Sequence, residues 1–182
     1  SCVCVLVYEL LSNDIGKGIW EKEMKIQKRK GIYWGELRGV SAAGKMTDFT
    51  YLYGTTLIIH SPSHIFFENK LMASGQTIHE WSSKWNYQRD RQVPDLPLLK
   101  KGARYCLSRD MTTYPESSVF LKIIFLDRYD KEISNQVERS ESMIFTYPNE
   151  AYSYKVQLLS AGVESLEFHC LNIDQIIEES DD

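Results

Sequence analysis

The sequence predicts an all-β fold, a sandwich or a barrel built from short strands. From Ile32 onward, runs rich in Val, Ile, Thr, Phe and Tyr recur, and Gly, Pro, Asn or Asp separates them. No long amphipathic helix pattern interrupts these runs. Many short strands without intervening helices are typical of sandwiches and barrels. The length of 182 residues suits one such domain.

Three regions differ in composition. Residues 1–30 form an N-terminal arm with a short apolar run and a basic stretch, in which Met24 and Ile26 alternate with polar residues as in a strand. Residues 31–175 form the β domain, and residues 176–182 form an acidic tail. The candidate strands of the domain are 32–38, 49–60, 64–69, 76–82, 103–111, 118–128, 131–136, 141–147, 152–160 and 164–173.

Alternation within the later strands predicts which side chains face the core, because successive side chains of a strand point to opposite faces. The residues predicted to face inward are Tyr152, Tyr154, Val156 and Leu158, then Leu166, Phe168 and Cys170, and Met143, Phe145 and Tyr147.

Strand 118–126 breaks this rule, since both of its faces are apolar. Its second face carries Phe120, Ile124 and Leu126, and only Lys122 interrupts it. Monomers rarely expose large apolar patches. We therefore expect that face to be covered by loops of this chain or residues 1–30, or else to form an interface with a partner subunit.

Composition and charge exclude several classes of protein. The net charge is −4, which disfavours a nucleic-acid binder. The longest uncharged apolar run, Val3 to Tyr8, is far shorter than the roughly 20 residues of a membrane span. Glu9 interrupts the apolar start and no basic residue precedes it, so we expect no export signal. Sparse cysteines predict reduced thiols in a cytosolic protein, with Cys106 and Cys170 as apolar fillers.

No catalytic motif is recognisable. The sequence has no nucleophile elbow of the GxSxG type, no Walker-type phosphate loop and no GxGxxG. His60 and His64 flank a Ser-Pro-Ser turn with no third histidine or cysteine nearby in sequence, which disfavours a metal site. We expect no catalytic residue, metal or cofactor.

One aromatic and polar segment suggests sugar binding. Sugars bind to aromatic platforms rimmed by a few polar groups, and one short segment supplies both kinds of residue. The candidate ligand-binding residues are Trp81, Trp85, Tyr87, Arg89, Asp90, Arg91 and Gln92. The alternative is that Trp81 and Trp85 belong to the core or its edge.

Five segments resemble a known family. They are WGELRGVSAAGKMTDFTYLYGTTLIIHSP (34–62), MASGQTIHEW (72–81), VPDLPLLKKGARYCL (93–107), FLKIIFLDRYDKEIS (120–134) and YKVQLLSAGVESLEFHCLNI (154–173). Their residues and their order along the chain resemble the third accessory secretory protein of the accessory Sec system in Gram-positive bacteria.

The resemblance implies an antiparallel β-sandwich of the jelly-roll type, similar to a carbohydrate-binding module and without catalysis. It implies a cytoplasmic subunit, peripheral at the inner face of the membrane, that scaffolds the first and second accessory secretory proteins. Further implied partners are the glycosylated serine-rich repeat adhesin, whose O-linked sugars it would bind, and the accessory Sec ATPase. The alternative is a free-standing lectin-like carbohydrate-binding module.

Overall fold

A computed structural model describes residues 25–27, 31–35, 50–84 and 94–177. These residues form ten strands and no helix. The strands are β1 (Lys25–Gln27), β2 (Thr56–Ser61), β3 (His64–Glu68), β4 (Thr77–Ser82), β5 (Arg104–Tyr114), β6 (Val119–Leu126), β7 (Glu132–Glu138), β8 (Ser142–Thr146), β9 (Ser153–Ser160) and β10 (Ser165–Ile177).

The strands form two antiparallel sheets. Sheet A has the order β2-β3-β10-β5-β8, with β1 also paired to β10, and sheet B has the order β4-β9-β6-β7. Two pairs of consecutive strands, β2–β3 and β6–β7, are neighbours in one sheet. The other connections from β3 to β10 pass between the sheets. Eight strands arranged four and four in this order form a jelly roll. The expected all-β antiparallel sandwich is confirmed.

The long strand β10 organises sheet A. It pairs along one side with β5 over ten residue pairs, from Ser165↔Tyr114 to Gln175↔Tyr105. Its other side pairs with β3 near its start and with β1 near its end. The strand spans Ser165–Ile177, so it extends four residues beyond the end of the predicted strand 164–173.

The core lies between the sheets and follows the predicted alternation. Tyr154, Val156 and Leu158 of β9 are buried, as are the inward-facing residues of β8 and the first two of β10. Each such side chain contributes about 1.5–3 kcal/mol when fully buried. A shift of one residue in register would expose the whole set.

Two of the residues predicted to face inward do not. Tyr152 is exposed because β9 begins one residue later, and its amide instead donates to the carbonyl of Leu126 at 2.8 Å in a turn. Cys170 is only half-buried because a register shift between Phe168 and Cys170 turns its side chain away from the core.

Two predicted strands are also wrong in extent. Of 32–38, only Ile32 bridges to β10, at Leu171, and residues 36–38 lie outside the described residues. The prediction 49–60 shortens to β2, because a turn at Gly54 with φ +70° separates the strand from the Thr50 bridge to His79.

Within the described ranges, none of the chain forms a helix long and apolar enough to span a membrane.

Candidate functional site: an aromatic core, an outer sheet face and an end hollow

Trp81 lies at the centre of the core, so the prediction that it forms a sugar platform is wrong. Its side chain is fully buried, and its indole Nε1 donates to the backbone carbonyl of Tyr33 at 2.8 Å. Its ring stacks on Phe168 at 5.6 Å and meets Trp34 edge-on at 6.1 Å. A sugar needs an exposed ring face. Trp81 therefore serves the alternative role, as a core residue.

The other candidate sugar-binding residues, Trp85, Tyr87, Arg89, Asp90, Arg91 and Gln92, lie outside the described residues.

His79 forms a closed chain of hydrogen bonds beside Trp81. Its Nε2 lies 2.7 Å from the carbonyl of Trp34, which can only accept, so Nε2 carries the proton. Its Nδ1 then accepts from the Thr50 hydroxyl at 2.6 Å, and Thr50 Oγ1 accepts from Trp34 Nε1 at 3.1 Å. These hydrogen bonds give every polar atom of the three side chains a partner in the core.

The pKa of His79 is lowered from 6.5 to about 3, first because burial removes water from the charged form. The hydrogen bond to the Trp34 carbonyl raises the pKa but is the weaker influence. The ring also stacks on Trp34 at 4.3 Å. His79 is therefore a neutral structural residue at physiological pH.

The sequence carries a signal for this role of His79, although no catalytic or metal motif marks it. In the run Thr77-Ile78-His79-Glu80-Trp81, residues two apart share a face of the strand. A buried Trp81 therefore implies that His79 points inward as well, where a histidine needs two partners.

The chain itself covers most of the second face of β6, contrary to the partner interface predicted at Ile124 and Leu126. Ile124 is 9% exposed and Leu126 is 7% exposed. Ile124 lies between Lys155 of β9 and Asn135 of β7 in the sheet, and an aliphatic lysine stem can cover apolar surface beside it. The burial of these two residues agrees with the other prediction, in which this chain itself covers the second face of β6.

Phe120 remains half-exposed at the other end of the strand. The Arg139 guanidinium lies 5.7 Å from the centre of its ring. Val137 of β7, the cross-strand neighbour of Lys122, is 48% exposed and lies on the same outer face. Ile133, at the register shift between β6 and β7, is also exposed. We call Phe120 and Val137 the outer face of sheet B.

An open hollow of about 290 Å³ lies at one end of the sandwich. Three turns form it: the one before β5, the β6–β7 hairpin and the one between β8 and β9. Its lining residues are Lys101, Asp127, Arg128, Tyr129, Glu150 and Tyr152. We call it the end hollow.

The histidines around the Ser-Pro-Ser turn contact a third histidine from β10. The His60 and His64 rings lie 4.6 Å apart, and the His64 and His169 rings 5.1 Å apart. His64 Nε2 lies 3.8 Å from Glu167 Oε2. No group of three His, Cys, Asp or Glu side chains in the described ranges has the arrangement of a metal site.

Comparison with known proteins agrees with this architecture. A profile of the family described as Accessory Sec secretory system ASP3 matches residues 50–175. The chain is 73% identical over 157 residues to the accessory Sec system protein ASP3 of Streptococcus gordonii, covering 86% of this chain and 99% of that protein. It is 35% identical over 132 residues to the ASP3 protein of Staphylococcus aureus, covering 72% of this chain and 41% of that longer protein.

Two solved structures contain a similar fold. The first is the crystal structure of accessory secretory protein 1, 2 and 3 in Streptococcus pneumoniae, with a TM-score of 0.72, 40% identity and coverage of 84% of this chain and all of that chain. The second is the Glycosylation Associate Protein (Gap123) complex from Streptococcus agalactiae, with a TM-score of 0.70, 34% identity and coverage of 84% and 47%. With its jelly-roll sandwich and these relatives, the chain belongs to the accessory Sec secretory system ASP3 family.

Proposed function

We propose that this chain is a non-catalytic subunit of an accessory Sec complex, where it scaffolds the first and second accessory secretory proteins and supports export of serine-rich repeat adhesins. The observation that supports this most directly is the similarity to a chain in the crystal structure of accessory secretory protein 1, 2 and 3, because it extends over the whole of that chain. The non-catalytic part follows from the family resemblance. His79 is in keeping with it, because both of its ring nitrogens are hydrogen-bonded inside the core.

The outer face of sheet B is the surface through which we expect a partner to dock. Phe120 and Val137 lie on neighbouring antiparallel strands and keep apolar area in contact with water. Arg139 adds a cation beside Phe120. Aromatic and arginine side chains are enriched among the residues that dominate binding energy at protein interfaces.

The proposed role implies a cytoplasmic position, peripheral at the inner face of the membrane, where export begins. Contact with the accessory Sec ATPase and with the glycosylated adhesin stays a prediction that follows from membership of such a complex. Trp81 does not support the predicted contact with O-linked sugars, because its ring is enclosed in the core.

Copurification tests the scaffold role. Wild-type chain is coexpressed with the first and second accessory secretory proteins and isolated through a tag on one partner. We expect all three to copurify, and Val137→Asp to weaken the association at least tenfold, since a charge placed in an apolar interface loses its hydration. Ile144→Asp is the matched control: Ile144 is 43% exposed on β8, in the other sheet, and its replacement should leave copurification unchanged.

Two results would contradict the proposal. A chain that stays monomeric in the presence of both partners would remove the scaffold role. If such a monomer bound sugars with measurable affinity, the free-standing lectin-like module would be the better description. Equal weakening by Val137→Asp and Ile144→Asp would leave the scaffold role standing but remove the outer face of sheet B as its docking surface.

A further inference from the structure

Strand β2 ends sheet A and exposes apolar side chains to water on both faces of the sheet. Ile58 is 44% exposed and Ile59 is 47% exposed. Ile59 lies opposite Ile65, which is buried in the core, so Ile59 is on the inner face of the sheet and Ile58 is on the outer face. A partner surface laid against one face of the sheet covers only one of these two side chains. A strand placed alongside β2 contacts both.

The edge of sheet B at β4 is covered by a segment of this chain. Thr50 bridges to His79 of β4, and the Tyr51 amide donates to the carbonyl of Ile78 at 2.8 Å. Covering an edge in this way is one of the devices by which natural sheets avoid pairing with another chain.

The edges at β7 and β8 are protected by polar side chains. On β8, the carbonyl of Ile144 accepts from the side-chain Nε2 of Gln136 at 3.1 Å. On β7, Glu132 and Glu138 place charges at the two ends of the strand. Charged and polar side chains along an edge disfavour the approach of a further strand.

Within the described ranges, β2 carries none of these protections. Its sequence, Thr56–Ser61 (TLIIHS), contains no Lys, Arg, Asp, Glu or Pro, and in the described part of the chain it pairs with β3 alone. A register shift between Ile59 and Ser61 disturbs only its last residues and leaves 56–59 as a regular edge. An exposed apolar edge of this kind is a template for pairing with another strand.

The start of this edge is fixed by a buried asparagine. Asn69, which follows β3 and is 2% exposed, donates through Nδ2 to the carbonyl of Tyr53 at 2.9 Å and to Thr55 Oγ1 at 3.0 Å. Thr55 Oγ1 in turn donates to the carbonyl of Tyr51 at 2.9 Å. Because these bonds order the turn before β2, the edge loses less entropy when a further strand pairs with it.

From these observations we propose that β2 accepts an extended segment of another subunit of the accessory Sec complex as an additional strand of sheet A. The matching segment is uncharged and apolar on both faces, because β2 offers Ile58 and Ile59 on opposite faces and no charge to pair. The inference rests on the proposed function for the source of the segment. It adds a mode of docking that is separate from the outer face of sheet B.

A partner subunit is favoured over a second copy of this chain. Stable interfaces bury roughly 1,200–2,000 Å² in total, and pairing along 56–59 alone is far smaller. Two copies would also bring together two net charges of −4. For a partner already held by the outer face of sheet B, the strand is an intramolecular contact, for which a short edge is sufficient.

Hydrogen–deuterium exchange measured by mass spectrometry tests the inference. The full-length chain is compared alone and in the complex copurified with the first and second accessory secretory proteins. We expect the amides of β2 to exchange at least tenfold more slowly in the complex, because a strand paired along the edge protects them from water. The amides of β8, at the opposite edge of sheet A, should exchange equally in the two samples.

Lysine substitutions test whether the partner uses the edge or a single face of the sheet. Ile58→Lys and Ile59→Lys each place a charge beside the added strand, and each should weaken the association at least tenfold. Ile144→Lys is the matched control, because Ile144 is an isoleucine of similar exposure, 43%, on β8, and it should leave the association unchanged. Circular dichroism checks that the three variants are folded, and the exchange measurement on wild type does not depend on them.

The outcomes separate the inference from the proposed function. A complex that forms with unchanged exchange at β2, weakening by Ile58→Lys but not Ile59→Lys, or equal weakening by Ile144→Lys would overturn the added strand and leave the scaffold role standing. Failure of the complex to form would remove the scaffold role and the inference together. Slow exchange at β2 in the dilute isolated chain would assign the edge to a segment of this chain, and slowing as that chain is concentrated would assign it to a second copy; either result would overturn the choice of partner.

Discussion

Replacement of the buried His79 should remove a specific part of the acid sensitivity of this protein. In the folded state the pKa of His79 is about 3, against 6.5 as its ordinary value. A histidine whose pKa is lowered by folding contributes its full stability above pH 6.5 and loses it as the pH falls from 6.5 towards 3, because only the unfolded chain then takes up the proton. His79→Gln has no imidazole to protonate, so its free energy of unfolding should depend less steeply on pH in this range.

The size of the effect follows from proton linkage. At pH 5 the unfolded chain binds a proton at His79 with a free energy of about 2 kcal/mol, whereas the folded chain binds essentially none. Wild type should therefore lose about 2 kcal/mol more than His79→Gln between about pH 7.5 and pH 5. At the higher pH the variant should itself be less stable, because the Thr50 hydroxyl and the Trp34 carbonyl lose well-placed partners in the core.

Urea denaturation at about pH 7.5, 6 and 5 measures these differences through the midpoint and slope of each transition. Ile123→Val is the control for destabilisation as such: Ile123 is fully buried, and the lost methylene costs about 0.5–1.5 kcal/mol without touching a titratable group. It should keep the pH dependence of wild type. The same loss of stability in wild type and His79→Gln over this pH range would refute the assigned pKa and the neutral hydrogen-bonded role of this residue.

The remaining predictions concern packing and turns. Ile123→Ala should destabilise the fold by about 2–5 kcal/mol in urea denaturation, since it leaves a cavity in the core. Ile133→Ala, at an exposed site on β7, should cost less than about 1 kcal/mol, and similar losses for the two variants would contradict the described burial of these residues. Gly102→Ala should destabilise more than Gly162→Ala: both glycines have positive φ, +76° and +89°, but only at Gly102 would the new Cβ crowd a neighbour, Asn149 Oδ1 at 3.3 Å. We expect Gly162→Ala to lower the melting temperature by a few degrees and Gly102→Ala to lower it further, and the reverse order would contradict the described turn.

The sandwich could be predicted from the sequence because its strands repeat every two residues. Val119, Leu121, Ile123 and Phe125 alternate, all are buried, and they line one face of β6 as the pattern indicates. The period is a property of the extended backbone itself, so it is present in the sequence before any tertiary contact forms. The resemblance to a known family added the jelly-roll topology, which alternation alone does not distinguish from a barrel.

The candidate sites could not be predicted as well, because exposure depends on which distant segments meet. Trp81 looks like a surface platform beside its polar neighbours in sequence, but it is enclosed by Trp34 and Phe168 from segments 47 and 87 residues away, measured along the printed sequence. Tyr152 follows the alternation of β9, yet the strand begins after it and leaves its ring in water.

What the sequence determined by itself was the class of fold, most strand positions and the family. What only the tertiary structure decided was which aromatic side chains are hidden, how Ile124 is covered, and that three turns distant in sequence meet around Tyr129 and Tyr152. The physical reason is that strand periodicity is local, whereas burial and concave sites arise from the packing of two sheets whose neighbouring strands are far apart along the chain.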